Sequence, residues 1–319
     1  MSINEFSNLK DNSSSLGKRL FIYQKERFPL LGHGLLVASF SFSAIAYSRI
    51  CRGVSGFVAP ATFLMGIITT ISLFLLVRIF DEFKDADDDA RYRKELPVPR
   101  GLVKLGELKI IGWIIVALQV TLNLVFFPKM LLIYLVIMVY LLLMSKEFFV
   151  AEWLKRHQFW YVVSHMFIIP LIDIYASGLD WLLSGVSAPK GLLFFFAVSY
   201  MNGIVLEVGR KIRNPEREQE GVLTYSAMLG RPKALQLWIL VVAITLGLSI
   251  AAAAFAGYGT TGFVVLGVLF VLTIIPALLF WSKPTKALSK GIEMMSVIWT
   301  IAMYLTLGGL PMLKQLLAG

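Results

Sequence analysis

The sequence predicts an all-α membrane protein, with nine transmembrane helices around a central cavity. Three observations carry this expectation. Hydrophobic residues make up 57% of the 319-residue chain, and the mean hydropathy is +0.75. Nine apolar stretches approach the roughly 20 residues that cross a bilayer as a helix. No segment alternates polar and apolar residues with period two, which argues against a membrane barrel.

Residues 1–29 read as a leader outside the membrane. Ser2 to Ser15 is rich in Asn and Ser and is expected to be disordered. Lys18, Arg19, Lys25 and Arg27 then stand just before the first span. A signal peptide is not expected, because the first apolar run begins only near Leu30 and is too long. Residues 30–319 read as one membrane domain. Its spans are expected at about 30–48, 57–80, 107–127, 129–145, 158–179, 190–209, 234–256, 261–281 and 292–312. Only Pro128 and Lys129 separate the third span from the fourth. The two long connections on the leader's side are 81–106 and 210–233, after the second and sixth spans. That repetition reads as two related halves. Ser184 to Pro189 reads as a plain turn.

Charge placement sets the orientation. Of the 30 Lys and Arg residues, 23 fall on the side of the N-terminus and five on the other. The positive-inside bias then predicts a cytoplasmic N-terminus and an outside C-terminus, in a cell inner membrane. The same bias accounts for the net charge of +10 without a nucleic-acid partner. The single cysteine, Cys51, excludes an internal disulfide and a Cys-based metal site.

Two charged clusters point to chemistry. The chain has 20 acidic residues, and six of them lie between Asp81 and Asp89. An acidic patch that dense repels itself unless cations neutralise it, and divalent metals with oxygen ligands are suited to that. If the second helix continues past Phe80, then Asp81, Asp85, Asp88 and Asp89 fall within about 100° of arc, with Asp81 and Asp85 about 6 Å apart along the axis. Two such carboxylates hold Mg²⁺ in part and leave waters and substrate phosphates to complete its shell. Arg91, Arg93 and Arg100 follow, with guanidinium groups suited to phosphate oxygens. In the second cluster Glu207, Arg210, Lys211 and Asn214 would share a helix face that Pro215 ends. A charged surface loop is the bland alternative for both clusters.

These residues resemble a known family. Asp81-Glu82-x-x-Asp85-x-x-x-Asp89 is similar to the first signature, Asn-Asp-x-x-Asp-x-x-x-Asp, of the UbiA superfamily of intramembrane prenyltransferases. Leu96-Pro97-Val98-Pro99-Arg100-Gly101 resembles its Arg-Pro-Leu-Pro-x-Gly stretch. Gly221 to Gly230 resembles the Gly-x-x-Ser/Thr…Leu-Gly stretch that closes its second signature. The resemblance implies Mg²⁺-dependent transfer of a prenyl group, within the membrane, from a prenyl diphosphate to an unidentified acceptor. It also implies metal-binding and catalytic roles for Asp81, Asp85, Asp89 and Glu207. Diphosphate contacts would come from Arg91, Arg93, Arg100, Lys146, Arg210 and Lys211. Alternatives on the same scaffold are a terpene cyclase and a non-catalytic isoprenoid carrier or transporter. A CDP-alcohol phosphotransferase fits poorly, since Ala86 stands where its signature needs Asp. The chain departs from the family at Lys211, where the second signature has Asp. Lys211 then either contacts the diphosphate or pairs with Glu207.

Other marked residues have readings of their own. His165 and Asp173 are eight apart in the fifth span and should share an interior face. Glu293 is read as opening the ninth span, where an acid suits a helix N-terminus. Phe194, Phe195, Phe196, Tyr200 and Trp160 are either packing residues or the lining of a cation pocket.

Overall fold

The computed structural model describes residues 15–318, which contain helices and no strands. A short helix, α1 (Leu16–Arg27), precedes the bundle. The spans are α2 (Leu30–Cys51), α3 (Pro60–Lys84), α5 (Leu105–Phe126), α6 (Leu131–Ser145), the pair α8 (Gln158–Met166) and α9 (Ile168–Trp181), α10 (Leu192–Arg210), α12 (Arg231–Phe255), α13 (Thr260–Ser282) and α14 (Lys286–Tyr304). Helix α14 continues through a π-turn, Leu305–Gly309, into α15 (Leu310–Ala318). Three short helices lie between spans: α4 (Ala86–Tyr92), α7 (Ala151–Arg156) and α11 (Tyr225–Leu229). Nine helical stretches among the described residues are long and apolar enough to cross a membrane.

Local chemistry explains the boundaries. Pro60 opens α3, where its missing N–H is no loss. Phe127 leaves the helical region at φ −137°, and a tight turn beginning at Pro128 separates the third and fourth spans. The Thr285 hydroxyl accepts the Leu288 N–H at 3.2 Å and caps α14. Glu293 therefore sits two turns inside α14 and not at its start. A single turn residue, Phe167, divides the fifth span into α8 and α9 but keeps helical torsions (φ −66°, ψ −16°), so the span runs on and His165 and Asp173 lie about 12 Å apart along it.

The leader helix is not free of the bundle. Arg19 donates to both carboxylate oxygens of Glu107, at 2.6 and 3.0 Å, and to the Leu102 carbonyl. Arg27 donates to Glu82 at 2.6 Å. The Asn- and Ser-rich residues 2–14 lie outside the described residues.

Helix α10 packs on α12 and α14, α13 on α14, and α9 on α2. Polar side chains tie spans together where lipid and packed apolar groups cannot. Gln119 donates to Ser72 at 2.8 Å and accepts from Tyr134 at 3.0 Å. Tyr175 donates to Asn123 at 3.0 Å, and Ser41 and Thr70 share a bond of 2.9 Å. Such bonds contribute about 0.6 kcal/mol each on average. At the end far from α1, the buried Asp180 carboxylate takes Arg52 at 2.7 Å, Arg49 at 3.0 Å and Ser48 at 2.8 Å.

The π-turn lies against α2. A Cβ built on Gly308 would overlap the Ser43 backbone, whereas one on Gly247 in α12 would meet nothing. Gly308→Ala is therefore expected to destabilise the fold by about 1–3 kcal/mol, the usual cost of overpacking. Gly247→Ala is expected to be neutral or slightly stabilising, because Ala favours the helix. Thermal melts of the two variants in detergent test the contrast.

Candidate active site at the charged end of the bundle

The first cluster begins as the last turn of α3. The helix yields at Asp85 (φ −93°, ψ 7°) and α4 follows. The four-residue bonding continues through the break: the Asp85 N–H reaches the Asp81 carbonyl at 2.9 Å, and the Asp89 N–H reaches the Asp85 carbonyl at 2.8 Å. Asp81 and Asp85 stay together and share one cation. The Lys84 ammonium lies 3.6 Å from Asp81 and 4.0 Å from Asp85. It also donates to the Tyr161 hydroxyl at 2.9 Å and lies 3.5 Å from Glu147.

Asp89 does not share the Lys84 ammonium, although its charge acts on Asp85. It is buried, 3.1 Å from Arg93 and 3.7 Å from Arg27. Asp87 and Asp88 are exposed. The single arc expected for the four aspartates fails because the bend at Asp85 redirects everything after it. Glu82, which the sequence reading left without a role, is buried and accepts from Arg27 at 2.6 Å and Arg78 at 3.0 Å.

The second cluster closes α10. Glu207 is buried and pairs with Lys211 at 2.7 Å and with Arg210. Helix α10 stops at Arg210, before the expected Pro215 boundary, so Asn214 lies beyond it. The loop is held by bonds from the Tyr225 N–H to the Lys211 carbonyl (3.1 Å) and from the Arg213 N–H to Ser226 (2.7 Å). Arg217 anchors it to Ser289 and Glu293 on α14, at 2.7 and 3.2 Å.

The clusters meet. Asp81 is close enough to Arg210 for its charge to act on it. Arg93 acts likewise on Arg213. The Tyr92 ring at the end of α4 packs flat against Gly221, where a Cβ would overlap it. Gly221 also sits at φ +72°, so glycine serves both backbone and contact there.

A third wall escaped the sequence reading. Lys146 was expected to reach the diphosphate, but it is exposed beside a shallow outer hollow of about 440 Å³ with Phe149, Val150 and Trp153. Glu147 turns inward instead, toward Lys84 and to 3.2 Å from His165 Nε2. Glu147, Phe148 and Phe149 have φ of 50°, 52° and 61°. Three successive non-glycine residues in that left-handed region are strained, at about 1–3 kcal/mol each. No periodicity separates residue 146 from 147. Only that turn decides which one faces the site.

Two other expected diphosphate ligands lie elsewhere. Arg100 pairs with Glu26 on α1 at 2.8 Å, and Arg91 is exposed over the Tyr92 ring. Arg210 and Lys211 stand at the site, with Arg93 at its edge.

Burial lifts the Asp85 carboxyl above its ordinary range. Lys84 opposes that shift, and Asp81 and Asp89 add to it. Burial also works against the charge of Glu147, but His165 and Lys84 outweigh it and hold that carboxyl below its ordinary value. Among the described residues no three acidic, His or Cys groups converge as a metal cage. Mg²⁺ needs no such cage, since one or two carboxylates with substrate phosphates suffice. Asp81 and Asp85, with side chains 30% and 37% exposed, fit one ion. Glu207 pairs with Arg210 and Lys211, and Asp89 lies within ion-pair distance of Arg93 and Arg27, although neither of its buried oxygens has a hydrogen-bond partner.

Fold and charged clusters together define a helical membrane protein, with nine candidate spans among the described residues, whose two charged clusters meet where the second and sixth spans end. The chain belongs to the UbiA prenyltransferase family, whose model matches residues 34–310. Three solved structures share the fold. A UbiA homolog from Aeropyrum pernix K1 is 16% identical, with a TM-score of 0.64, covering 85% of this chain and 95% of that one. A structure described as digeranylgeranylglyceryl phosphate synthase in membranes is 14% identical, with a TM-score of 0.60, covering 92% and 99%. A UbiA homolog from Archaeoglobus fulgidus bound to DMAPP and Mg²⁺ is 14% identical, with a TM-score of 0.52, covering 86% and 98%. No curated protein matches the sequence.

The raised Asp85 value has a measurable consequence. A carboxyl lifted by folding destabilises the fold wherever it is charged, and that penalty vanishes below the ordinary value of about 3.9. Asp85→Asn is therefore expected to raise the melting temperature of the ligand-free protein at pH 7. The gain should shrink as the pH falls toward about 4. A variant that melts below wild type at pH 7 contradicts this account.

Proposed function

We propose that the protein transfers a prenyl group from a prenyl diphosphate to an acceptor within the membrane, in a Mg²⁺-dependent reaction. The observation that carries this reading is the convergence of Asp81 and Asp85 with Lys84 at the end of an apolar span, with Arg210 and Lys211 beside them. The A. fulgidus homolog bound to DMAPP and Mg²⁺ supports it.

Asp81 and Asp85 would hold the ion. When bound, Mg²⁺ supplies positive charge that neutralises the departing diphosphate. Lys84 places an ammonium between the same two carboxylates, and Glu147 and Tyr161 fix its position. Arg210 offers a fork of donors for phosphate oxygens, with 59% of its side chain exposed. Lys211, 24% exposed, adds a point charge. As the bond from C1 to the diphosphate oxygen breaks, the prenyl carbon becomes cationic. The acceptor captures it and releases a proton. The apolar spans keep water from competing.

The excess of Lys and Arg near the N-terminus supports a cytoplasmic N-terminus, an outside C-terminus and an inner-membrane location. The site then faces the cytoplasm. Residues 30–319 form the membrane domain, with 1–29 as its cytoplasmic flank.

The test is diphosphate release from farnesyl or geranylgeranyl diphosphate by the purified protein in vesicles. Release is expected to need Mg²⁺ and an acceptor, and to fall at least about 100-fold in Asp85→Ala. Unchanged turnover by Asp85→Ala rules out the metal role. Release without acceptor indicates cyclisation, and no release under any condition indicates a carrier.

Lys211 gives a separate test. Loss of a charge-assisted contact worth about 2 kcal/mol corresponds to about 30-fold in affinity. Lys211→Gln is expected to weaken binding of a non-hydrolysable prenyl diphosphate by about that factor. A loss under about threefold would show that Lys211 serves only Glu207.

A further inference from the structure

Arg27 is the last residue of α1, at a closed corner of the chain. Pro29 follows at φ −54°, and α2 begins at Leu30. Phe28 between them is 2% exposed, and its ring lies 4.7 Å from that of His33. The Gln24 amide donates to the Phe28 carbonyl at 3.0 Å, and the Phe28 N–H donates to the Gln24 carbonyl at 3.0 Å. The guanidinium therefore leaves a fixed backbone. This corner lies outside residues 34–310, the part of the chain that the family model matches.

Two acids meet that guanidinium, one from each side of the bend at Asp85. Arg27 Nε donates to Glu82 Oε1 on α3 at 2.6 Å. Arg27 Nη2 lies 3.7 Å from Asp89 Oδ2 on α4. Both acids are buried. Their other cations do not cross the bend. Arg78 donates to the same Glu82 oxygen at 3.0 Å from within α3. Arg93, directly after α4, lies 3.1 Å from Asp89. The contacts also lead on toward the candidate metal ligands, since Arg78 lies 3.8 Å from Asp81.

A guanidinium fork can hold two carboxylates where a point charge holds one. Fixing Glu82 fixes the rotation of the last turn of α3, and so the direction of its neighbour Asp81. Fixing Asp89 fixes the direction of α4, and so the torsions at Asp85. Mg²⁺ demands near-octahedral geometry, so the spacing of two carboxylates decides how well they share it.

We propose that Arg27 is a positioning residue that staples α3 to α4 across the bend and holds the Asp81 and Asp85 carboxylates at the spacing one ion needs. It acts through Glu82 and Asp89. Ordering the two carboxylates before the ligand arrives lowers the Mg²⁺ requirement. The effect on Mg²⁺ rests on the proposed prenyl-diphosphate reaction; the staple itself does not.

The experiment compares full-length wild type, Arg27→Ala and Glu26→Gln in detergent. The first measurement is amide hydrogen exchange over residues 81–93, without added metal or substrate. Arg27→Ala is expected to exchange there at least about tenfold faster. Glu26→Gln, which removes the α1 pair with Arg100, is expected to match wild type. The second measurement is binding of a non-hydrolysable geranylgeranyl diphosphate as Mg²⁺ is varied. Arg27→Ala is expected to need at least about fivefold more Mg²⁺ for half-maximal binding, yet to reach the wild-type level at saturating Mg²⁺. A role in the fold alone would lower binding at every Mg²⁺ concentration. If Arg27→Ala does not fold, Arg27→Lys serves, because one ammonium holds one acid, and both shifts are then expected at about threefold or more. Wild-type exchange over 81–93 in the Arg27 variant overturns the staple, as does equal loosening in Glu26→Gln. Faster exchange with an unchanged Mg²⁺ midpoint overturns the positioning role. A wild type that does not bind the analogue overturns the prenyl-diphosphate reading instead, and exchange over 81–93 still decides the staple.

Discussion

The charged end of this bundle is organised around one ammonium. Lys84 sits among Asp81, Asp85, Glu147 and the Tyr161 hydroxyl. A unit charge about 4 Å away interacts with it by about 4 kcal/mol at an effective dielectric of about 20. Without it, three carboxylates would face one another at a membrane edge, where burial already works against the charges of Asp85 and Glu147. Lys84 offsets one of these three carboxylate charges, while Glu207 is paired within its own cluster by Arg210 and Lys211.

The two halves do not rest on their spans alone. The Tyr92 ring against Gly221 joins the two long connections directly. The leader helix joins them to the bundle from the other side, because Arg27 reaches both Glu82 and Asp89. Two acids of the first signature, Glu82 and Asp89, therefore face α1, while Asp81 and Asp85 face Lys84. Glu82 does so from within α3, and Asp89 after the bend at Asp85.

Much of this could be read from the sequence. Hydropathy placed nine spans, Pro128 marked the tightest split, and the positions of the two charged clusters led to the family. The fate of individual side chains was not legible, because it depends on small backbone departures that periodicity does not encode. One non-helical residue at Asp85 precedes the turn that places Asp89 against Arg93 and Arg27 and away from Lys84. His165 meets Glu147, whereas Asp173 lies about 12 Å further along the same span, deeper in the bundle. An early end to α10 puts Asn214 off the Glu207 face. Glu293, read as an N-terminal acid, holds the second loop through Arg217 because α14 starts two turns earlier than its apolar run. Glu82 was visible as part of a signature, but its buried partners come from α1 and were not.

The left-handed run from Glu147 to Phe149 bears on which substitutions this turn tolerates. Glycine or asparagine would relieve the backbone at all three positions. The chain carries a carboxylate and two aromatic rings there instead. Phe148 lies edge-on to His165 and Tyr140, so its ring is part of what holds the turn. Glu147 is held by Lys84 and His165, whereas the Phe149 ring is exposed. Glycine at 149 would therefore ease the backbone at no cost in contacts, while glycine at 147 or 148 would ease it only by giving up what the strained turn exists to place.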